Sequence, residues 1–236
     1  MERSYVTLYL IRHGRQSSRL CNVDVELSAA GFRQAALVGE RLVRERIQTV
    51  YSSALIRAEQ TAQAANLYWN VEHIIEPDLR EIDFGRMEGL RDQEIRQRFG
   101  DLKREQQKME TDIPYPDGER AGDVIERVMP VLRRIAHGAE ERVAVVTHGG
   151  VIRCAAAHIL GMEPAKYRLL GRDLENCSIT ELRFDRGEER FTLERFNDYG
   201  HLEKEPDLLR DRWIQGEEEG AGWQTEDSRR TGSLRT

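Results

Sequence analysis

Two short apolar runs lack the polar alternation of a half-exposed strand. Val6-Thr7-Leu8-Tyr9-Leu10-Ile11 and Val143-Ala144-Val145-Val146-Thr147 are rich in β-branched residues, the pattern of strands buried on both faces. Thr49-Val50-Tyr51 and Val71 to Ile75 predict two shorter strands, the second closed by Pro77. Between these runs the apolar period lengthens to that of a helix. Ser28 predicts an N-cap for a helix through Phe32, Ala35, Ala36 and Leu42, and Ser52-Ser53 precedes one through Arg57, Thr61 and Ala65. Val124, Val128, Val131, Leu132 and Ile135 form one stripe on a helix from about 119 to 136, with a kink predicted at Pro130. Helical spacing also marks about 92 to 109, which is highly charged, and about 151 to 160. Ile179 to Phe184 and Phe191 to Phe196 flank a turn at 185–189 and predict an antiparallel hairpin.

Strands alternating with helices, ending in a hairpin, predict an α/β fold: a three-layer sandwich with a mostly parallel central sheet. The 236 residues suit one domain over 1–200. Residues 201–236 are charged and read as a C-terminal tail, either flexible or packing on a partner subunit through Trp213 and Trp223. A symmetric homodimer is the commonest assembly for such a chain.

Charge narrows the function. The formal net charge is -6, so the chain lacks the basic excess that nucleic acid or an anionic membrane surface requires. A small anionic substrate stays open, because a few cations lining a cleft override the global charge. No run is long and apolar enough for a membrane span or a signal peptide, and Cys21, Cys154 and Cys177 form no CxxC pair. These features predict reduced thiols and a cytoplasmic protein.

In open α/β sheets ligands bind beyond the carboxyl ends of the strands. The residues there are Arg12 and His13 after the first strand, Arg57 after the second, Glu81 after the third and His148 after the fourth. Guanidinium groups and a protonated histidine clamp a phosphoryl group, and helix N-termini after Ser53 and after His148-Gly149-Gly150 add N–H donors. A neutral histidine attacks phosphorus, and a carboxylic acid protonates the leaving oxygen. The expected ligand is a small phosphate ester, with no cofactor and no metal, since side chains supply the cations. A non-catalytic module holding a phosphorylated ligand is compatible with the same residues. A metallohydrolase using His13 and His148 is disfavoured by the lack of HExxH or a comparable cluster.

The chain resembles the histidine phosphatase superfamily, also called the phosphoglycerate mutase-like family. The matching segments are Leu10-Ile11-Arg12-His13-Gly14, Asp24 to Gly31, Ser52 to Ala62, Leu79 to Gly85 with Glu88-Gly89, and Val145 to Gly150, in the family's order. The resemblance implies that His13 is the phosphorylated nucleophile. It places Arg12, Arg57 and His148 in the phosphate pocket and makes Glu81 the proton donor, then the base for water. Asp83 and Glu88 are the rival carboxylates. Family mutases carry asparagine where this chain has Arg19, and their loops before Leu27 and between Glu81 and His148 are longer. These departures favour a phosphatase over a phosphoglycerate mutase, the alternative. Arg19 is either an added cation for a polyanionic substrate or a solvated loop residue. His73, His137, His158 and His201 read as structural or surface residues. Substrate choice is left to residues about 15–24 and 82–118 and to the tail.

Overall fold

A computed structural model describes residues 5–171 and 173–210. Six strands form one sheet: β1 (Tyr5–Arg12), β2 (Thr49–Ser52), β3 (Glu72–Ile75), β4 (Arg142–Thr147), β5 (Ile179–Asp185) and β6 (Arg190–Asp198). Their order is β3-β2-β4-β1-β5-β6. The first four are parallel, and the β5–β6 hairpin adds antiparallel to β1. Five helices cover the faces: α1 (Ala29–Leu42), α2 (Ile56–Asn66), α3 (Asp92–Lys108), α4 (Ala121–Ala136) and α5 (Gly149–Ile159).

Both faces of β1 and β4 are apolar because each face has its own helical layer. Leu8 and Leu10 pack with Val143 and Val145 against Val124, Val128, Leu132 and Ile152 of α4 and α5. Tyr9 and Ile11 point the other way, with Ala144 and Val146, onto Ala35, Val38 and Leu42 of α1 and Ala58, Ala62 and Ala65 of α2. Each fully buried Leu or Val contributes about 1.5–3 kcal/mol, so the two central strands anchor the fold. Ser28 caps α1, its side chain accepting from Gly31 N.

The break predicted at Pro130 lies elsewhere. α4 runs as one helical span through Pro130, whereas α3 carries a non-helical residue at Phe99 (φ -129°, ψ 18°), next to Gly100. Pro130 and Glu126, whose carbonyl would have accepted the missing N–H, are both exposed.

Residues 201–210, the start of the segment read as a tail, pack on α1 of the same chain. Leu202 and Leu208 are fully buried, and Gln34 Nε2 donates to Leu208 O at 2.8 Å. Arg33 pairs with Glu205 and with Asp207, the latter at 2.9 Å. Trp213 and Trp223 lie outside the described residues.

Candidate active site

Register builds the centre of the site. Arg12 pairs with Thr147, so the next residue of each strand, His13 and His148, leaves the sheet side by side. His13 N donates to Thr147 O at 2.9 Å, and the two imidazole centroids lie 5.1 Å apart. On the other side of β4, Ser53 N donates to Val146 O, and Ser53 Oγ stands 2.7 Å from His148 Nε2.

His13 is held from several directions. Its Nδ1 is 2.8 Å from Gly14 O, so Nδ1–H donates to the carbonyl and Nε2 keeps its lone pair for attack. Gly14 N donates to Thr61 Oγ1 at 2.9 Å, and a Cβ at Gly14 would stand 2.7 Å from Gly31 O, which requires glycine there. Asn176 Nδ2 donates to His13 O at 2.9 Å.

His13, Arg57 and His148 are only 5%, 2% and 0% exposed. Burial, then Arg57 and Arg12, drives the His13 imidazole well below its ordinary pKa, with the Gly14 tether opposing. Burial, then Arg57 and His13, does the same to His148. Both rings are therefore neutral at neutral pH. For His13 this is the nucleophilic form. For His148 it corrects the expectation of a protonated clamp: without an anion, neighbouring cations keep it uncharged.

The two arginines are pinned by their terminal nitrogens. Arg57 Nη1 donates to Val23 O at 3.0 Å and Nη2 to Asn22 Oδ1 at 2.7 Å, while Arg12 Nη1 donates to Leu174 O. Burial, then Arg210, lowers Arg12 to about 10, which still leaves it charged at neutral pH. Arg12 Nε, Arg57 Nε and His148 Nδ1 are buried with no hydrogen-bond partner among the described residues. An unsatisfied buried donor costs about 1–3 kcal/mol, more when charged, so this cluster has the character of an anion site.

Glu81 follows β3 and the 3₁₀ turn Pro77–Leu79. Its Oε1 accepts from Ile82 N at 2.9 Å and its Oε2 from Gly150 N at 3.3 Å. A Cβ at Gly150 would lie 2.4 Å from Glu81 Oε1, so only glycine lets the carboxylate reach the start of α5. Thr147 Oγ1 donates to Leu79 O at 2.7 Å and Arg127 Nη2 to Glu81 O at 3.1 Å, fixing the backbone on either side.

The structure thus places Arg12, His13, Arg57, Glu81 and His148 at one edge of the sheet. Two N–H groups at the helix N-termini expected to face the ligand are already engaged. α2 starts at Ile56, whose N–H is taken by Asp24 Oδ1 at 2.8 Å, and Gly150 N is taken by Glu81. The rival carboxylates serve the loops: Asp83 Oδ1 accepts from Gly85 N at 2.7 Å, and Glu88 Oε1 accepts from Asn22 Nδ2 at 2.6 Å. His73 meets Ser52 and His137 meets Glu189, while His201 is buried away from the sheet-end cluster. Arg19 is exposed.

Sequence reasoning missed Asn22, Asn176 and the Ser53–His148 contact. Asn22 had one signal: its φ of +48° lies in the left-handed region, where asparagine is favoured in loops. Asn176 had none, standing 163 residues from the histidine whose carbonyl it holds.

Among the described residues no group of three His, Cys, Asp or Glu side chains could hold a metal ion, and no helix is long and apolar enough to cross a membrane. Cys21, Cys154 and Cys177 are free thiols.

The sequence model of the histidine phosphatase superfamily (branch 1) matches residues 8–199. Phosphoglycerate mutase-like protein 4 of Arabidopsis thaliana is 34% identical over 209 residues, covering 85% of this chain and 88% of the relative. Metal-independent phosphoserine phosphatase of the same plant is 30% identical over 211 residues, covering 86% of this chain and 85% of the relative. Among solved structures, mycobacterial glucosyl-3-phosphoglycerate phosphatase superposes with a TM-score of 0.73 at 27% identity, covering 82% of this chain and 99% of the other.

Proposed function

Because the chain belongs to the histidine phosphatase superfamily, branch 1, we propose that it hydrolyses phosphate monoesters by phosphoryl transfer to His13. Arg12, Arg57 and His148 hold the phosphoryl oxygens, their unpartnered nitrogens taking the hydrogen bonds they lack. His13 Nε2 attacks phosphorus as the P–O bond to the alcohol breaks. Glu81 gives its proton to the departing oxygen, then takes one from the water that attacks the phosphohistidine, releasing inorganic phosphate and neutral His13. No step needs a metal, because buried guanidinium groups carry the compensating charge. Phosphatase-named relatives support the hydrolytic direction.

The observation that carries this reading is the pair formed by a tethered His13 and three buried, unpartnered nitrogens beside it. Hydrolysis of p-nitrophenyl phosphate with a chelator present, in the native chain and in His13→Ala, tests it. Chelator-resistant turnover that disappears in the variant is expected. Turnover that survives His13→Ala would remove His13 as nucleophile. A chain that hydrolyses nothing but moves a phosphoryl group between substrate positions, primed by a bisphosphorylated compound, would instead be a mutase.

A further inference from the structure

The described chain returns to the active site at its C-terminal end. β6 ends at Asp198, and two 3₁₀ turns, Gly200–Leu202 and Pro206–Leu208, lead to Arg210. The loop before β5 receives it. Asp173 Oδ1 lies 3.5 Å from Arg210 Nη2, and Glu175 Oε1 accepts from Arg210 N at 3.0 Å. The alternate residues of this loop hold the catalytic cluster: Leu174 O accepts from Arg12, and Asn176 Nδ2 donates to His13 O at 2.9 Å. Four consecutive residues therefore fix Arg12, His13 and Arg210 relative to one another. The Arg210 charge lowers Arg12 and, more weakly, His13, in keeping with the loop that joins them. Its Nε is buried and has no hydrogen-bond partner among the described residues. Nothing in the phosphoryl-transfer scheme uses this cation.

We propose that Arg210 is a specificity residue that binds a carboxylate carried by the phosphate-ester substrate. The assignment rests on the phosphoryl group occupying the cluster of Arg12, Arg57 and His148. With the phosphoryl group there, Arg210, tied to Arg12 and His13 through residues 173–176, is the cation left for a second anionic group of the ester. Asp173 engages one terminal nitrogen at 3.5 Å, leaving Nε as an unused donor. Glu175 accepts from the Arg210 backbone N–H, and the Asp173 carboxylate at the guanidinium opposes a dianionic second phosphate more than a monoanionic carboxylate.

Two esters that differ by a carboxylate provide the test: 3-phosphoglycerate and glycerol 3-phosphate. Their dissociation constants are measured by calorimetry in His13→Ala, which cannot be phosphorylated, and again with Arg210→Ala or Arg210→Lys added. The ratio of kcat/KM for the same pair is measured in otherwise native chains, so the result does not depend on the His13 substitution. The His13→Ala protein is expected to prefer 3-phosphoglycerate. Arg210→Ala should shrink that preference at least about tenfold, the size of a lost charge-assisted hydrogen bond, and Arg210→Lys should restore part of it. An unchanged ratio, an equal loss for both esters, or no initial preference would overturn the assignment. The same change in binding ratio in a chain that also fails to hydrolyse p-nitrophenyl phosphate would remove the hydrolytic reading and leave Arg210 assigned.

Discussion

His13 and His148 leave neighbouring parallel strands one residue past the register pair Arg12–Thr147, and their rings lie 5.1 Å apart. Two histidines so close inside a buried, arginine-lined site cannot both be charged at little cost. Burial and the two guanidinium groups hold both well below the ordinary histidine range.

That coupling predicts how activity and stability depend on pH. The active form of His13 is neutral and its pKa is lowered, so kcat/KM should persist as pH falls through about 6.5, the ordinary histidine value, and drop only below it. Stability follows from the same shift. Below about pH 6.5 the unfolded chain binds protons that the folded chain refuses, so unfolding free energy should fall as pH drops. Urea unfolding across pH 5 to 7.5 measures this, and His148→Asn should flatten the slope. A slope unchanged by that substitution would contradict a buried neutral His148.

Ser53 orients His148 across 2.7 Å. Ser53→Ala removes one net hydrogen bond of about 0.5–1.5 kcal/mol and leaves the ring free to turn. Steady-state kinetics on p-nitrophenyl phosphate should show a loss of kcat/KM of roughly threefold to tenfold, with the fold intact by circular dichroism. No loss would mean the contact does not position the ring.

Asn22 joins Arg57 to Glu88, at 2.7 Å and 2.6 Å. Asn22→Ala frees one terminal nitrogen of Arg57, while Glu88 Oε1 keeps its bond from Phe84 N and both charges stay in place. Phosphate inhibition constants should weaken by about threefold to tenfold, the size of one net hydrogen bond. Unaltered inhibition would mean that Val23 O alone holds Arg57.

Gly150→Ala would put a methyl carbon 2.4 Å from Glu81 Oε1. The side chain must rotate away, so kcat should fall about a hundredfold, the lower end of the range for a lost general acid–base group. Glu81→Gln should lower kcat by a comparable factor, and combining the two should add little. Full additivity would show that Gly150 acts on something other than Glu81.

The sheet and the five strand-end residues were legible because a doubly buried parallel strand has an unmistakable apolar run. Val6–Ile11 and Val143–Thr147 locate the centre of the sheet, and the polar residues that follow them must lie at its edge. Residues that reach the site through loops carry no period. Asn176 and Arg210 belong to segments whose composition says only that they are polar, and Arg210 fell in a stretch read as tail. Leu202 and Leu208 hold that stretch to α1, yet two isolated leucines do not announce a packing surface. The state of His148 was likewise invisible, because its neutrality depends on burial and on Arg57, which is brought close only by the fold.

In the proposed reaction His13 carries the phosphoryl group in transit. Rapid acid-free quenching during turnover, followed by proteolysis and mass spectrometry, tests it most directly. One acid-labile phosphoryl group is expected on the peptide containing Arg12-His13-Gly14, absent from His13→Ala. Turnover with that peptide unmodified, while another side chain carries the phosphoryl group, would contradict it.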